Sequence, residues 1–346
     1  YTPSTNAWSS AATMVKGRGY QGAVTLSDGG VFTVGGSWSG DIGDKDGETW
    51  HSATGWKLNS AVWDDYFLTG DAAGIYRSDN HTWLFSVANW VDTTGNGSVT
   101  SAGLRAADAD SMNGNAVMYD IGRILTLGGA PDYENAAATS NAHVIDIRTG
   151  TATVRKVASM AYARAFHNSV VLPNGQVVVI GGQAWPVTFS DDGAVLTAEL
   201  WDPTTEKFSS LAAMVTPRTY HSVALLLPDG RVMSGGGGLC GACATNHSNV
   251  EILTPPYLLT ADGTAATRPA ITSAPADAYL GTTISVNATA NMKTFALVRM
   301  SSVTHSVNNE QRRVPLTFTL GTAGEYKLQI PADPGVAVPG YYMLFA

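Results

Sequence analysis

One motif, written several times along the chain, restricts the fold more than any other feature. The segment Arg164-Ala-Phe-His-Asn-Ser-Val-Val-Leu-Pro-Asn-Gly-Gln-Val-Val-Val-Ile-Gly-Gly182 aligns almost residue for residue with Arg218-Thr-Tyr-His-Ser-Val-Ala-Leu-Leu-Leu-Pro-Asp-Gly-Arg-Val-Met-Ser-Gly-Gly236. A third copy runs from Arg18 through Tyr20 and Gln21 to Gly36, and a degenerate fourth from Asn115 to Gly129. Each copy reads as strand, tight turn, strand, Gly-Gly. Asn174-Gly175 and Asp229-Gly230 predict type I′ hairpin turns, because those turns need positive φ. The Gly pairs begin at 35, 128, 181 and 235, and a unit centred on Gly74 to Phe85, without its pair, fills the long first gap.

A period of about 50 residues with four strands per unit is that of kelch-type β-propeller blades. Each unit closes with a further strand, as in Glu199 to Phe208, followed by Met214 and Arg218. The opening residues Tyr1 to Trp8, then Met14 and Arg18, repeat that ending. Residues 1–262 are therefore expected to form a propeller that begins inside a blade and carries about five further units. After Pro255-Pro256 the pattern changes to short alternating strands (Thr283 to Val286, Thr294 to Arg299, Glu325 to Ile330). Residues 263–346 are expected to be a small antiparallel, immunoglobulin-like β-sandwich, truncated in mid-strand at Tyr341 to Ala346.

Composition narrows the function classes. Charged residues are 14% and hydrophobic residues 44%, which excludes a disordered chain. A net charge of −8 argues against a nucleic-acid partner. No run of about 18 apolar residues is present, so no membrane helix is expected. The two cysteines, Cys240 and Cys243, lie in a Gly-rich loop without a βαβ context, so a short structural disulfide is expected rather than a redox pair. With the sequons at Asn80, Asn96, Asn246 and Asn287, this points to a secreted protein.

The repeat also places candidate site residues. In a propeller the first strand of each blade lines the axis, so equivalent residues converge at one mouth. By alignment Tyr20, Phe166 and Tyr220 are equivalent, as are Gln21, His167 and His221. The repeat alone leaves two readings open for Tyr20 and Tyr220, packing residue or site. His305 sits in a predicted polar hairpin, Ser302 to Pro315, where a lone His reads as a surface residue; His81 reads the same way. There is no HxxxH or HxH pair, so spacing alone specifies no metal site.

Five segments carry a resemblance: Arg18-Gly-Tyr-Gln, Gly35-Gly-Ser-Trp-Ser-Gly40, Tyr76 to Phe85, Gly237-Gly-Leu-Cys-Gly-Ala-Cys243 and Thr304-His-Ser-Val-Asn-Asn-Glu-Gln-Arg-Arg313. In order and type they resemble the galactose oxidase family of fungal copper radical oxidases. The resemblance implies a seven-bladed propeller, incomplete here, and one copper ion. It implies Tyr20 as equatorial ligand and carrier of a tyrosyl radical, Tyr220 as axial ligand and base, and His221 and His305 as imidazole ligands. It implies Trp38 stacked over the radical tyrosine, and Arg77, Phe189, Tyr133 and Glu134 in the substrate pocket. It matches Cys240 and Cys243 to the family's disulfide.

Two imidazoles, two phenolates and a water form an N,O set that suits Cu(II). Copper passes one electron, alcohol oxidation takes two, and an oxidisable ligand tyrosine supplies the second. The implied reaction is oxidation of a primary alcohol, such as the C6 hydroxyl of galactose, to the aldehyde, with O2 reduced to H2O2. The substrate is then a carbohydrate or small alcohol, and the protein a monomer.

Two departures qualify this. The family's radical tyrosine is joined by a thioether to a cysteine that would lie upstream of Tyr1, so the chain alone is expected to bind copper weakly and turn over poorly. Glu134 stands where galactose oxidase has a glutamine, and an ionised carboxylate cannot donate a hydrogen bond to a sugar. The alternatives are an oxidase of other alcohols or glyoxal-type aldehydes, and a non-catalytic propeller that binds glycans or proteins.

Overall fold

The computed structural model describes residues 1–19, 21–36, 45–62, 73–78, 81–85, 88–103, 105, 111–305, 307–322 and 324–346. Five antiparallel sheets succeed one another along the first three-quarters of the chain. The first holds β1–β4 (Gly22–Thr25, Val31–Val34, Gly47–His51, Gly55–Asn59) and the second β5–β8 (Ala73–Ser78, His81–Phe85, Ala88–Asp92, Ser98–Gly103). The third holds β9–β12 (Asn115–Asp120, Arg123–Leu127, Ala142–Asp146, Thr153–Lys156) and the fourth β13–β16 (Ala165–Val171, Val177–Gln183, Thr197–Asp202, Lys207–Ala213). The fifth has three strands, β17–β19 (Ser222–Leu226, Val232–Gly236, Val250–Leu253). The first strands β1, β5, β9, β13 and β17 pack each against the next around a common axis, as blades of a kelch-type propeller do.

Three details differ from the sequence reading. Tyr1 to Trp8 form no strand: a 3-10 turn over Pro3–Thr5 and a single Thr2–Ala7 bridge stand in its place. The fifth sheet pairs three strands rather than four. The hairpin turns are not type I′. Gly175 N donates to Leu172 O at 2.9 Å and Leu172 N to Gln176 O at 2.8 Å, and of Asn174 and Gly175 only the glycine is left-handed (φ 87). That is a three-residue loop with a glycine bulge, and Leu227 to Arg231 repeat it.

The blades adhere through apolar faces. Val117, Leu125, Val144, Val171, Val179 and Trp201 fill the space between the third and fourth, and Val170, Val178, Leu200, Ala224 and Val232 that between the fourth and fifth. Each such side chain contributes about 1.5–3 kcal/mol on full burial.

The repeated arginine is structural. Arg18, Arg164 and Arg218 donate through Nη1 to the carbonyls of Gly35, Gly181 and Gly236 at 2.8–2.9 Å. They pair with Glu48 at 2.7 Å, Glu199 at 2.8 Å and Glu251 at 3.6 Å. Each glutamate also accepts backbone amides of the turn before its arginine: Val15 and Lys16, Ala161, and Val215 and Thr216. The degenerate fourth copy has its arginine too, since Arg105 Nη1 donates to Gly128 O at 3.1 Å.

After a 3-10 turn at Pro256–Leu258 the chain enters a sandwich. One sheet has the order β20-β21-β27-β26 (Ile271–Ser273, Thr283–Ala288, Glu325–Gln329, Phe318–Leu320) and the other β25-β22-β28 (Arg313–Leu316, Phe295–Arg299, Tyr342–Phe345). Val286, Phe295, Val314, Tyr326 and Leu328 make its core. A separate hairpin, β23 (Ser302–Thr304) and β24 (Val307–Asn309), leaves the sandwich and packs against β17, β5, β9 and β13 along the propeller axis.

Candidate metal centre

A one-residue insertion brings an imidazole to the mouth of the fifth blade. His167 stands six positions before Pro173, whereas His221 stands seven before Pro228. In the ladders His167 pairs with Gly181, but it is Ser222 that pairs with Gly236. The left-handed residue just before is Phe166 (φ 56) in the fourth blade and His221 (φ 67) in the fifth. The structural counterpart of His221 is therefore Phe166, which corrects the equivalence of His167 and His221. A one-residue shift sends a strand side chain to the other face. His167 consequently points inward and is fully buried; burial, with the charges of Arg164 and Arg105, lowers its pKa to about 3. His221 points to the mouth, half-buried.

The second imidazole arrives from the sandwich. His305 sits at the tip of the β23–β24 hairpin with a left-handed backbone (φ 48). Below it the chain is tied to three blades. Glu310 accepts Thr25 N of β1 and pairs with Arg299 at 2.8 Å. Gln311 accepts Val171 N at 3.0 Å and donates to Ser169 O at 2.8 Å, as a strand edge would. Arg312 bridges to Met118 of β9, and Arg313 Nε donates to Pro173 O at 2.6 Å.

These anchors bring His221 Nε2 and His305 Nε2 to 2.9 Å, with the rings edge to face at 4.6 Å. The chemistry of the two nitrogens follows from what lies behind them. His221 Nδ1 is 2.6 Å from Gly238 O, and a carbonyl only accepts, so Nδ1 carries the proton and Nε2 presents a bare lone pair. His305 Nδ1 is 2.7 Å from Thr304 Oγ1. The space between the two Nε2 atoms thus holds one shared proton or one cation, and nothing else that keeps both lone pairs satisfied. A back-side carbonyl that sets the tautomer is the usual support of a metal-bound imidazole. Among the described residues no three His, Cys, Asp or Glu side chains gather; the further donor here is a phenol.

That phenol is Tyr220, buried, its ring stacked on His221 at 4.0 Å and edge-on to His305 at 5.6 Å. Phe166, Tyr133 and Phe189 surround it at 5.1–6.1 Å. Phe189 is 43% exposed and also meets His221, so it forms an open apolar wall. Glu134 Oε2 accepts Thr188 Oγ1 at 2.7 Å and Thr188 N at 3.0 Å. Those two bonds, the side-chain one first, hold its carboxyl below the usual range, so it is ionised.

The structure thus gathers Tyr220, His221, His305, Phe189, Tyr133 and Glu134. Tyr20 and Trp38 lie outside the described residues. Arg77 is placed on β5 opposite Thr82, its side chain again outside what is described. Cys240 and Cys243 are disulfide-bonded. The sequence reading missed Gly238 and Thr304, which hold the two imidazoles from behind. A glycine's carbonyl leaves no residue-type signal.

Comparison with known proteins agrees with this arrangement. Residues 268–346 match the family model described as Galactose oxidase-like, Early set domain, and residues 122–249 that described as Glyoxal oxidase N-terminus. A galactose oxidase of Gibberella zeae is 44% identical over 375 aligned positions, spanning 100% of this chain and 54% of that protein. An aldehyde oxidase of Arabidopsis thaliana is 29% identical over 215 positions, 56% of this chain and 35% of that one. A solved structure described as a novel fungal alcohol oxidase with catalytic diversity among the AA5 family, in complex with copper, superposes with a TM-score of 0.91. It is 40% identical over 96% of this chain and 73% of that chain. The chain spans about half the length of the curated relatives it matches.

Proposed function

Because this chain belongs to the galactose oxidase family, within AA5, we propose that it supplies the copper centre of an oxidase of primary alcohols. The observation that carries the reading is the pair of Nε2 atoms facing each other at 2.9 Å, one with its tautomer set from behind. His221, His305, Tyr220 and Tyr20 would hold the metal. Copper(II) so held supplies a one-electron oxidant and a Lewis acid for the alcohol oxygen.

The protein's own groups do the rest. Tyr220 takes the hydroxyl proton of the alcohol as general base. Tyr20, as a radical, takes a hydrogen atom from the carbon and supplies the second oxidising equivalent. Trp38 shields that radical. Phe189 offers an apolar face to the substrate and Arg77 a fork of donors to its hydroxyls. The balance is one alcohol and one O2 to one aldehyde and one H2O2. In this reading the protein is secreted and acts as a monomer.

A second reading, oxidation of an aldehyde, draws support from the Glyoxal oxidase N-terminus match over residues 122–249. Peroxide output on galactose, benzyl alcohol and methylglyoxal decides between them. Turnover confined to methylglyoxal refutes the alcohol reading. Absence of copper binding and of peroxide on all three refutes both and leaves the glycan- or protein-binding propeller.

A further inference from the structure

Three loops meet behind His221, and the chemistry above leaves their cross-braces without a role. One carries Phe189, Ser190 and Asp191, the second Thr219 to His221, the third Gly237 to His247. Asp191 Oδ2 bonds His247 Nε2 at 2.8 Å, with the two side chains 28% and 18% exposed. His247 N donates to Gly237 O at 3.3 Å, and its ring lies against that glycine, where a Cβ would come within 3.2 Å of Cδ2. The next residue, Gly238, accepts the Nδ1 proton of His221 at 2.6 Å and donates to Tyr220 O at 3.0 Å. Weaker neutral bonds run alongside: Thr245 Oγ1 to Phe189 O at 3.3 Å, and Thr219 Oγ1 to Ser190 O at 3.1 Å.

Two adjacent left-handed glycines, Gly237 (φ 129) and Gly238 (φ 75), form the stretch whose carbonyl sets the His221 tautomer. Glycine backbone has the most freedom to lose and no side chain with which to lock itself. The direction of that carbonyl must therefore be held from outside. We propose that His247 and Asp191 are a positioning pair: they fix Gly237-Gly238, and through Gly238 O the plane and tautomer of His221, while holding the Phe189 loop beside Tyr220. This rests on the reading of His221 and His305 as metal ligands. Outer partners of metal-bound imidazoles are typically worth 10–100-fold in metal affinity.

The first measurement needs no metal. Long-range 1H–15N correlation of the histidines in the metal-free chain reports the His221 tautomer. The unsubstituted chain is expected to show the Nδ1–H form, and His247→Ala a mixture of both. Cu(II) affinity by equilibrium dialysis is expected to fall about tenfold in His247→Ala. His247→Gln keeps a donor towards Asp191 and is expected to recover most of that loss. Thermal melts separate misfolding from mispositioning. If His247→Ala does not fold, Asp191→Asn, which keeps an acceptor, is compared with Asp191→Ala, and only the latter should lose affinity. An unchanged His221 tautomer and unchanged Cu(II) affinity in a folded His247→Ala overturns the proposal. A chain with the expected tautomers that binds no Cu(II) overturns the ligand assignment instead, and the tautomer difference still decides the role of the pair.

Discussion

His221 and His305 are 84 residues apart in the chain, yet their Nε2 atoms lie 2.9 Å apart, one on the propeller and one on the hairpin of the sandwich. A cation held between them cross-links two domains that otherwise meet through the hairpin and its anchors. Such a ligand stabilises the folded state by mass action, about 2.7 kcal/mol at a hundredfold excess over its Kd. Cu(II) is therefore expected to raise the melting temperature of the chain, and His305→Ala to abolish the rise while leaving the metal-free melt near its original value. An equal copper-induced shift in His305→Ala would remove this histidine from the site.

Glu310 carries the hairpin's tie to the first blade. Burial by itself would raise its pKa, but Arg299 and the donors of Thr25 more than offset this, and the net shift is downward from 4.5. A carboxylate depressed in the folded state contributes stability that is complete above its unfolded value. That contribution is lost as pH falls through the folded value. Acid is thus expected to weaken hairpin docking below about pH 4.5. Glu310→Gln should lower stability at neutral pH and flatten the acid limb of a stability–pH curve; an unchanged acid limb contradicts the assignment.

Arg164 and Glu199 are both buried and paired at 2.8 Å. Removing one partner leaves the other charge without its counterpart in the interior, at a cost of about 3–5 kcal/mol. Arg164→Met is expected to lose that much in chemical denaturation. Arg164→Met with Glu199→Leu should recover part of it, although Ala161 N then loses its acceptor. A double variant less stable than the single one would show that the buried charges themselves are not the dominant cost.

Glu134 borders the aromatic pocket as an ionised acceptor, held so by Thr188. A carboxylate accepts from a hydroxyl but cannot donate to its oxygen, whereas an amide does both. Glu134→Gln is expected to shift preference towards galactose relative to benzyl alcohol by about five- to tenfold in kcat/KM, the worth of roughly one hydrogen bond. An unchanged ratio places Glu134 outside the substrate's reach.

Much was readable from the residues. The repeat Arg164 to Gly182 and its copies carried the blade count, the inner strands and the change of pattern before Arg268, because strand periodicity and turn glycines are local signals. The resemblance carried the ligand types Tyr220, His221 and His305. The turn class at Asn174-Gly175 was misread, since a loop of two or three residues depends on which strand residues pair.

What the sequence by itself determined is a ring of four-stranded units and a sandwich, through alternation and spacing that need no knowledge of distant contacts. Only the tertiary structure decided that Phe166, not His167, answers to His221. It alone revealed that Arg105 completes the repeat and that Gly238 and Thr304 hold the two imidazoles. The reason is geometric. One inserted residue reverses the face of every side chain beyond it, and a contact across 84 residues exists only once Glu310 and Gln311 have docked the hairpin on the blades.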